Sequence, residues 1–218
     1  MSEENKRTVQ VYQDIAHIYL KTSIIHDNLD PDKAKRKQKK LQNLIKESFS
    51  SLPAHAKVLE IGSADGVNAK FIQDLGYEVT ASDTAKTFIE AIQKQGLKAI
   101  KLDVIEDDLP EKYSGVFCWR VFVHFTESDV LDTLKKVYDG LEENGIFIFN
   151  AINRETKSIS EEWVDFSNEY HTGVDRYYHY FLQEELDNMI AQTKFQIKSF
   201  HKEGGENNDK WLVYVLKK

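Results

Sequence analysis

The chain has a single cysteine among its 218 residues, Cys118, which rules out an intramolecular disulfide and a multi-cysteine zinc site. No stretch reaches the roughly 18 apolar residues that a membrane-spanning helix needs. The opening Met1-Ser2-Glu3-Glu4-Asn5-Lys6-Arg7 is charged where a signal peptide is apolar. These absences predict a soluble cytoplasmic protein with no membrane partner. Excess positive charge is also missing. A net charge of −7 repels phosphate backbones, which predicts no nucleic-acid partner unless a local basic patch supplies one. One such patch exists: Lys33, Lys35, Arg36, Lys37, Lys39 and Lys40 follow Asp30-Pro31, a helix start with Asp30 as N-cap. It reads as a solvated helix face, or as one whose cations reach a phosphate or a cofactor.

Hydrophobic residues make up 41% and charged residues 30%, near globular averages, so the chain can bury a core and is read as one domain. Apolar residues at helical spacing predict helices from Thr8 to about His26 and from Pro31 to Phe49. Strands alternating with helices follow: strands Lys57–Ile61, Glu78–Ser82, Ala99–Leu102, Gly115–Trp119 and Gly145–Phe149, with helices Val67–Leu75, Thr84–Gln95 and Ser128–Leu141. That rhythm predicts a parallel, doubly wound sheet with right-handed crossovers. After Asn150 it breaks. Residues 151–182 are polar with scattered aromatics, Gln183–Gln192 is helical, and the strands Phe195–Phe200 and Trp211–Leu216 flank a turn-forming cluster, which predicts an antiparallel hairpin at one sheet edge. The expected architecture is therefore a mostly parallel seven-stranded α/β sheet. Residues 1–50 form a helical cap, 51–150 a ligand-binding core, 151–182 a possible lid and 183–218 a closing helix and hairpin.

The chemistry centres on Glu60-Ile61-Gly62-Ser63-Ala64-Asp65-Gly66, between the first strand and its helix. Ligands of open α/β sheets bind at such turns, where glycines let backbone N–H groups approach closely. Asp83 and Asp103 end the second and third strands; they can accept hydrogen bonds from ribose hydroxyls and an adenine amine, or simply cap helices. A dinucleotide site needs glycine at the sixth place counted from Gly62 as the first, where Val67 stands, and no Gly-Lys-Ser or Gly-Lys-Thr marks a phosphate loop.

Val58-Leu59-Glu60-Ile61-Gly62-Ser63-Ala64-Asp65-Gly66 resembles motif I of the class I S-adenosylmethionine-dependent methyltransferases. The likeness extends through Leu102-Asp103 and Leu141-Glu142-Glu143-Asn144-Gly145 to the hairpin, and Tyr12-Gln13-Asp14-Ile15-Ala16-His17-Ile18-Tyr19 is similar to the N-terminal helix these enzymes fold over the cofactor. The resemblance implies a Rossmann-like methyltransferase fold with S-adenosyl-L-methionine as cofactor. It implies that Glu60, Gly62, Ser63, Gly66 and the Cys118 carbonyl hold the methionine part, Asp83 the ribose, Thr84 the adenine face and Asp103 with Val104 its edge, with Tyr19 from the cap. Ala64 departs from the motif's middle glycine, and Ser114 stands where the family often has aspartate.

Methyl transfer needs mainly alignment. His124, after the fourth strand, is the expected base or a structural histidine; Arg120, four residues earlier, is expected on the same helical face to bind an anionic substrate group. Substrate contacts are expected from Tyr12, Trp119, Tyr178 and Tyr180, the last two in an aromatic segment with Phe166, Tyr170 and His171 that forms either a lid or core. Cys118-Trp119-Arg120 stands where nucleic-acid amino-methylating enzymes of this class carry Asn-Pro-Pro-Tyr or Asp-Pro-Pro-Tyr. A small-molecule oxygen, nitrogen or carbon acceptor is therefore expected. The other readings are a non-catalytic cofactor-binding regulator and a nicotinamide-dependent oxidoreductase.

Overall fold

A computed structural model describes residues 2–22, 31–165, 174–205 and 209–218. Asp30 as N-cap, the helix end at His26, and Phe166, Tyr170 and His171 fall outside the described residues.

Two helices, α1 (Glu3–Thr22) and α2 (Pro31–Phe49), precede an alternating run: β1 (Lys57–Ile61), α3 (Val67–Asp74), β2 (Glu78–Asp83), α4 (Lys86–Lys94), β3 (Lys98–Lys101), β4 (Tyr113–Cys118), α5 (Glu127–Gly140) and β5 (Leu141–Asn153). The sheet order is β3-β2-β1-β4-β5, parallel throughout. Strand order reverses between β1 and β4, which places the ligand crevice beyond the carboxyl ends of those two strands.

Parallel strands are covered on both faces, so their residues read as continuous apolar runs. Leu59, Ile61, Val116, Cys118, Phe147 and Phe149 pack on one face beneath Val130, Leu134 and Val137 of α5. Val58, Phe117, Ile146 and Ile148 pack on the other against Ile45 and Phe49 of α2 and Ile72 of α3.

Among the described residues the sheet has nine strands, two more than the expected seven. The two additions, β6 (Glu161–Asp165) and β7 (Asp175–Phe181), come from the segment expected as a lid or as core, and they pair antiparallel with each other. After β4 ends opposite Phe149, β7 takes up its line beside β5, at Ile152 and Asn153. It lies opposite β9 (Trp211–Lys217), which flanks β5 antiparallel. The helix α6 (Gln183–Ala191) covers the α5 face, and β8 (Gln196–Glu203) closes the edge against β9, the expected hairpin.

Candidate functional site

The turn after β1 is stitched to the end of β2. Ser63 N–H donates to the Ser82 carbonyl (2.9 Å) and Ser82 N–H to Ser63 Oγ (3.1 Å), while Ser82 Oγ donates to the Glu60 carbonyl (2.8 Å). The Ala64 and Ala85 N–H groups donate to the two oxygens of Asp83, at 3.0 Å each. Asp83 thus clamps the glycine turn to the second strand, and burial raises its pKa against the pull of these amides. Gly62 has φ +70°, and a Cβ there would meet Val121 Cγ2 at 2.4 Å; Gly66 has φ +80°. Ala64 holds φ 45°. The turn is a tight backbone cradle closed from the far side by Val121.

Glu60 is fully enclosed at the base of this cradle, and its Oε2 has no hydrogen-bond partner. Burial pushes its carboxyl up to about 8, with Ser63 and Asn68 pulling the other way. A buried acceptor left unsatisfied is costly unless a ligand pairs with it, so this one suits a cationic group such as a ligand ammonium. The neighbouring Cys118, buried at the end of β4, has its thiol pushed up by burial and by Glu60, which makes it unreactive. Thr84 is half-buried beside the clamp and Val104 is buried. Asp103 is half-buried, its Oδ1 accepting from Ile105 N–H (3.1 Å), and burial raises its pKa.

Helix α1 covers the cradle. Ala16, Tyr12 and Tyr19 pack with Ala64, Ala85 and Phe88, and the Tyr19 ring meets Phe88 edge-on at 5.4 Å. Its N-terminal half is fastened to the opposite wall: Asn5 Nδ2 donates to the His124 carbonyl, Thr8 Oγ1 accepts from Tyr177 N–H (3.1 Å), and Arg7 pairs with Asp175.

His124 ends a single 3-10 turn, Phe122–His124. It is buried, with Nδ1 2.8 Å from the Tyr177 carbonyl and Nε2 2.9 Å from the Tyr12 hydroxyl. Burial, with the Arg176 charge, drives its pKa down to about 3 despite the Tyr177 bond. The ring is therefore neutral near pH 7, Nδ1–H donates to Tyr177, and Nε2 accepts from Tyr12. Arg176 Nη1 in turn donates to the Tyr12 oxygen at 2.6 Å. Tyr12 thus occupies the nitrogen that a base would use.

Arg120 is not on a shared helical face with His124, contrary to expectation, because the chain between them is not α-helical. It adopts φ 61°, its N–H donates to Asn150 Oδ1 (2.6 Å), and its exposed guanidinium lies 5.6 Å over the Trp211 ring. Trp119 stacks on Phe117 (5.7 Å) within the α2-side core cluster, apart from His124. Tyr178 meets the His124 ring edge-on at 5.2 Å. Tyr180 is buried, and its hydroxyl donates to Glu162 of β6 (2.5 Å). The basic residues of α2 are exposed, and Lys40 pairs with Glu203 at 3.3 Å.

A family model described as a methyltransferase domain matches residues 33–199, most of the chain. The chain belongs to this methyltransferase family. No curated protein matches it. Solved structures share the fold. A S-adenosylmethionine-dependent methyltransferase from Clostridium acetobutylicum ATCC 824 aligns with TM-score 0.70 at 14% identity, covering 95% of this chain and 98% of that one. The CcbJ methyltransferase from Streptomyces caelestis aligns at 0.63 and 17%, covering 80% and 88%. The glycopeptide N-methyltransferase MtfA complexed with S-adenosyl-L-methionine aligns at 0.62 and 14%, covering 80% and 92%.

Four residues of the candidate site carry no expectation from the sequence. Arg176 gives no signal in a sequence, since nothing local marks one arginine as buried. Val121 and Trp211 look like ordinary core residues. Asn150 does have a trace, a polar residue ending the apolar run Gly145–Phe149.

Proposed function

We propose that the chain transfers the methyl group of S-adenosyl-L-methionine to a nucleophilic oxygen, nitrogen or carbon of a small molecule. The observation that carries the reading is the Asp83 carboxylate clamping the Ala64 amide of the glycine turn directly beneath α1. When bound, the cofactor supplies a sulfonium methyl for in-line displacement.

The chain's own residues bind and align. The glycine turn offers bare backbone to the methionine part, with Ser63 holding its shape, and Glu60 with the Cys118 carbonyl receives the ammonium. Asp83 spends one lone pair per oxygen on Ala64 and Ala85 and keeps others for the ribose hydroxyls. Thr84, Asp103 and Val104 border the adenine, with Tyr19 closing from α1. His124 is too weak a base to hold a proton near neutral pH, so it orients Tyr12, whose oxygen faces the acceptor. This suits a nucleophile that arrives neutral or already deprotonated. Enclosure by α1, tied to β7 by Thr8 and Arg7, suits a small acceptor better than a polymer, as does the net charge of −7.

Titration calorimetry with S-adenosyl-L-methionine and S-adenosylhomocysteine tests this. Both are expected to bind. No heat from either at about millimolar ligand, where a Kd corresponds to only about −4 kcal/mol, overturns the reading.

A further inference from the structure

An aromatic wall runs from the methyl-transfer end of the site to a cationic rim. It begins at His124, whose ring meets the edge of Tyr178. Tyr178 and Trp211 then pack on one apolar cluster of Val123, Ile152 and Tyr180. At its far end the Arg120 guanidinium lies over the Trp211 ring, 5.6 Å from its centroid, and Lys210 precedes Trp211 in the chain. Tyr12 joins this end of the wall through its hydrogen bond to His124.

The rim gathers two cations, Arg120 and Lys210. Three described acids nearby are paired elsewhere: Glu162 with Lys157, Glu155 with Lys202 and Glu203 with Lys40. Among the described residues Arg120 and Lys210 form no ion pair. Lys210 is exposed, yet its ammonium is held below the ordinary lysine range, first by partial desolvation and then by the charges of Arg120, Lys37 and Lys157. Like charges gathered in a strongly acidic protein are unfavourable unless an anion joins them.

Two features hold Arg120 in this place. Its left-handed backbone, φ 61°, is strained for a side chain of its size and persists only where the surroundings enforce it. The enforcing contact is Asn150 Oδ1, which accepts the Arg120 N–H at 2.6 Å. Asn150 is itself 1% exposed, and its Nδ2 has no partner. The residue that holds the Arg120 backbone thus keeps a buried donor still lacking an acceptor.

We propose that the methyl acceptor is an organic anion: its apolar or aromatic body lies along the His124–Tyr178–Trp211 wall, and its carboxylate or phosphate is held by Arg120 and Lys210. The inference rests on the methyltransferase reading and deepens it by naming the acceptor's class. A guanidinium grips either anion with paired hydrogen bonds, while the lysine adds a point charge.

The test uses the full chain loaded with S-adenosylhomocysteine and titrated with benzoate, phenyl phosphate and the neutral benzamide. Benzoate or phenyl phosphate is expected to bind about ten-fold or more tightly than benzamide, with an advantage that shrinks as salt rises. The tighter of the two names the anion. Arg120→Gln and Lys210→Gln, both exposed and so expected to leave the melting temperature unchanged, should each remove most of that advantage. If S-adenosylhomocysteine binds and benzamide matches the anions, or if both variants keep the preference, the anion inference falls and the methyltransferase reading stands. If S-adenosylhomocysteine does not bind, both fall.

Discussion

The Tyr12 hydroxyl sits 2.9 Å from Nε2 of His124, and the direction of that bond is settled by the other side of the ring. Nδ1 faces the Tyr177 carbonyl, which can only accept, so Nε2 is the acceptor and Tyr12 the donor. With Arg176 donating to the same oxygen, Tyr12 is fixed between a strand on one side of the site and the 3-10 turn on the other. Tyr12→Phe removes the hydroxyl that satisfies the buried imidazole nitrogen and accepts from Arg176, a cost of about 1–3 kcal/mol in stability. We expect kcat/KM to fall about ten-fold or more, with S-adenosylhomocysteine affinity changed far less. Turnover equal to wild type at full folding would make Tyr12 a purely structural link.

His124 also sets a pH dependence for stability. Its folded pKa, about 3, lies below the ordinary 6.5, so between those values the unfolded chain takes up a proton that the folded chain refuses. Stability from this group is complete above about pH 6.5 and is lost as pH falls toward 3, by at most about 1.4 kcal/mol per pH unit. Urea midpoints measured from pH 7 to 4 should drop more steeply for the wild type than for His124→Gln. Parallel profiles would show that the ring is protonated in the folded state.

Glu60 has the opposite sign. Its carboxyl is pushed up to about 8 from 4.5, so near pH 7 the ligand-free chain holds a proton there, and its contribution to stability is lost as pH rises through 8. An ammonium placed against Glu60 favours the ionised form, so cofactor binding should release a fraction of a proton approaching one. Calorimetry in buffers of different ionisation enthalpy reads this directly. The observed enthalpy should vary with buffer for the wild type and not for Glu60→Gln; buffer-independent heats in the wild type would remove Glu60 from the ammonium site.

The core elements were legible because each leaves a local mark. Glycine after an apolar run marks the turn at Gly62, and period-3.6 apolar residues place α3, α4 and α5 within two residues of their observed ends. β7 left no such mark: Arg176-Tyr177-Tyr178-His179-Tyr180 mixes polar and aromatic residues, all but Tyr178 buried. Its strand character comes from pairing with β6 and with the extension of β5, which are contacts distant in sequence. The relation of His124 to Arg120 is hidden for a similar reason: in place of a helical period, these residues form a left-handed bend at Arg120 and one 3-10 turn. The Tyr12–His124–Arg176 chain joins three segments, and only the fold brings them together.

The glycine turn lies close against Val121. Gly62 holds φ +70°, and a Cβ on it would sit 2.4 Å from Val121 Cγ2, well inside van der Waals contact. Gly62→Ala therefore carries two penalties: about 1–2 kcal/mol for a left-handed L-residue, and an overlap that only displacement of the turn or of Val121 can relieve. Because Ser63 and Ala64 are tied to Ser82 and Asp83, moving the turn disturbs the cofactor cradle, so cofactor affinity should fall about ten-fold or more together with stability. Val121→Ala removes the overlapping methyl and leaves the backbone strain. The double variant should then recover part of the lost affinity but not all of the lost stability. A double variant no better than Gly62→Ala alone would mean that the turn is limited by its backbone angle and not by its contact with Val121.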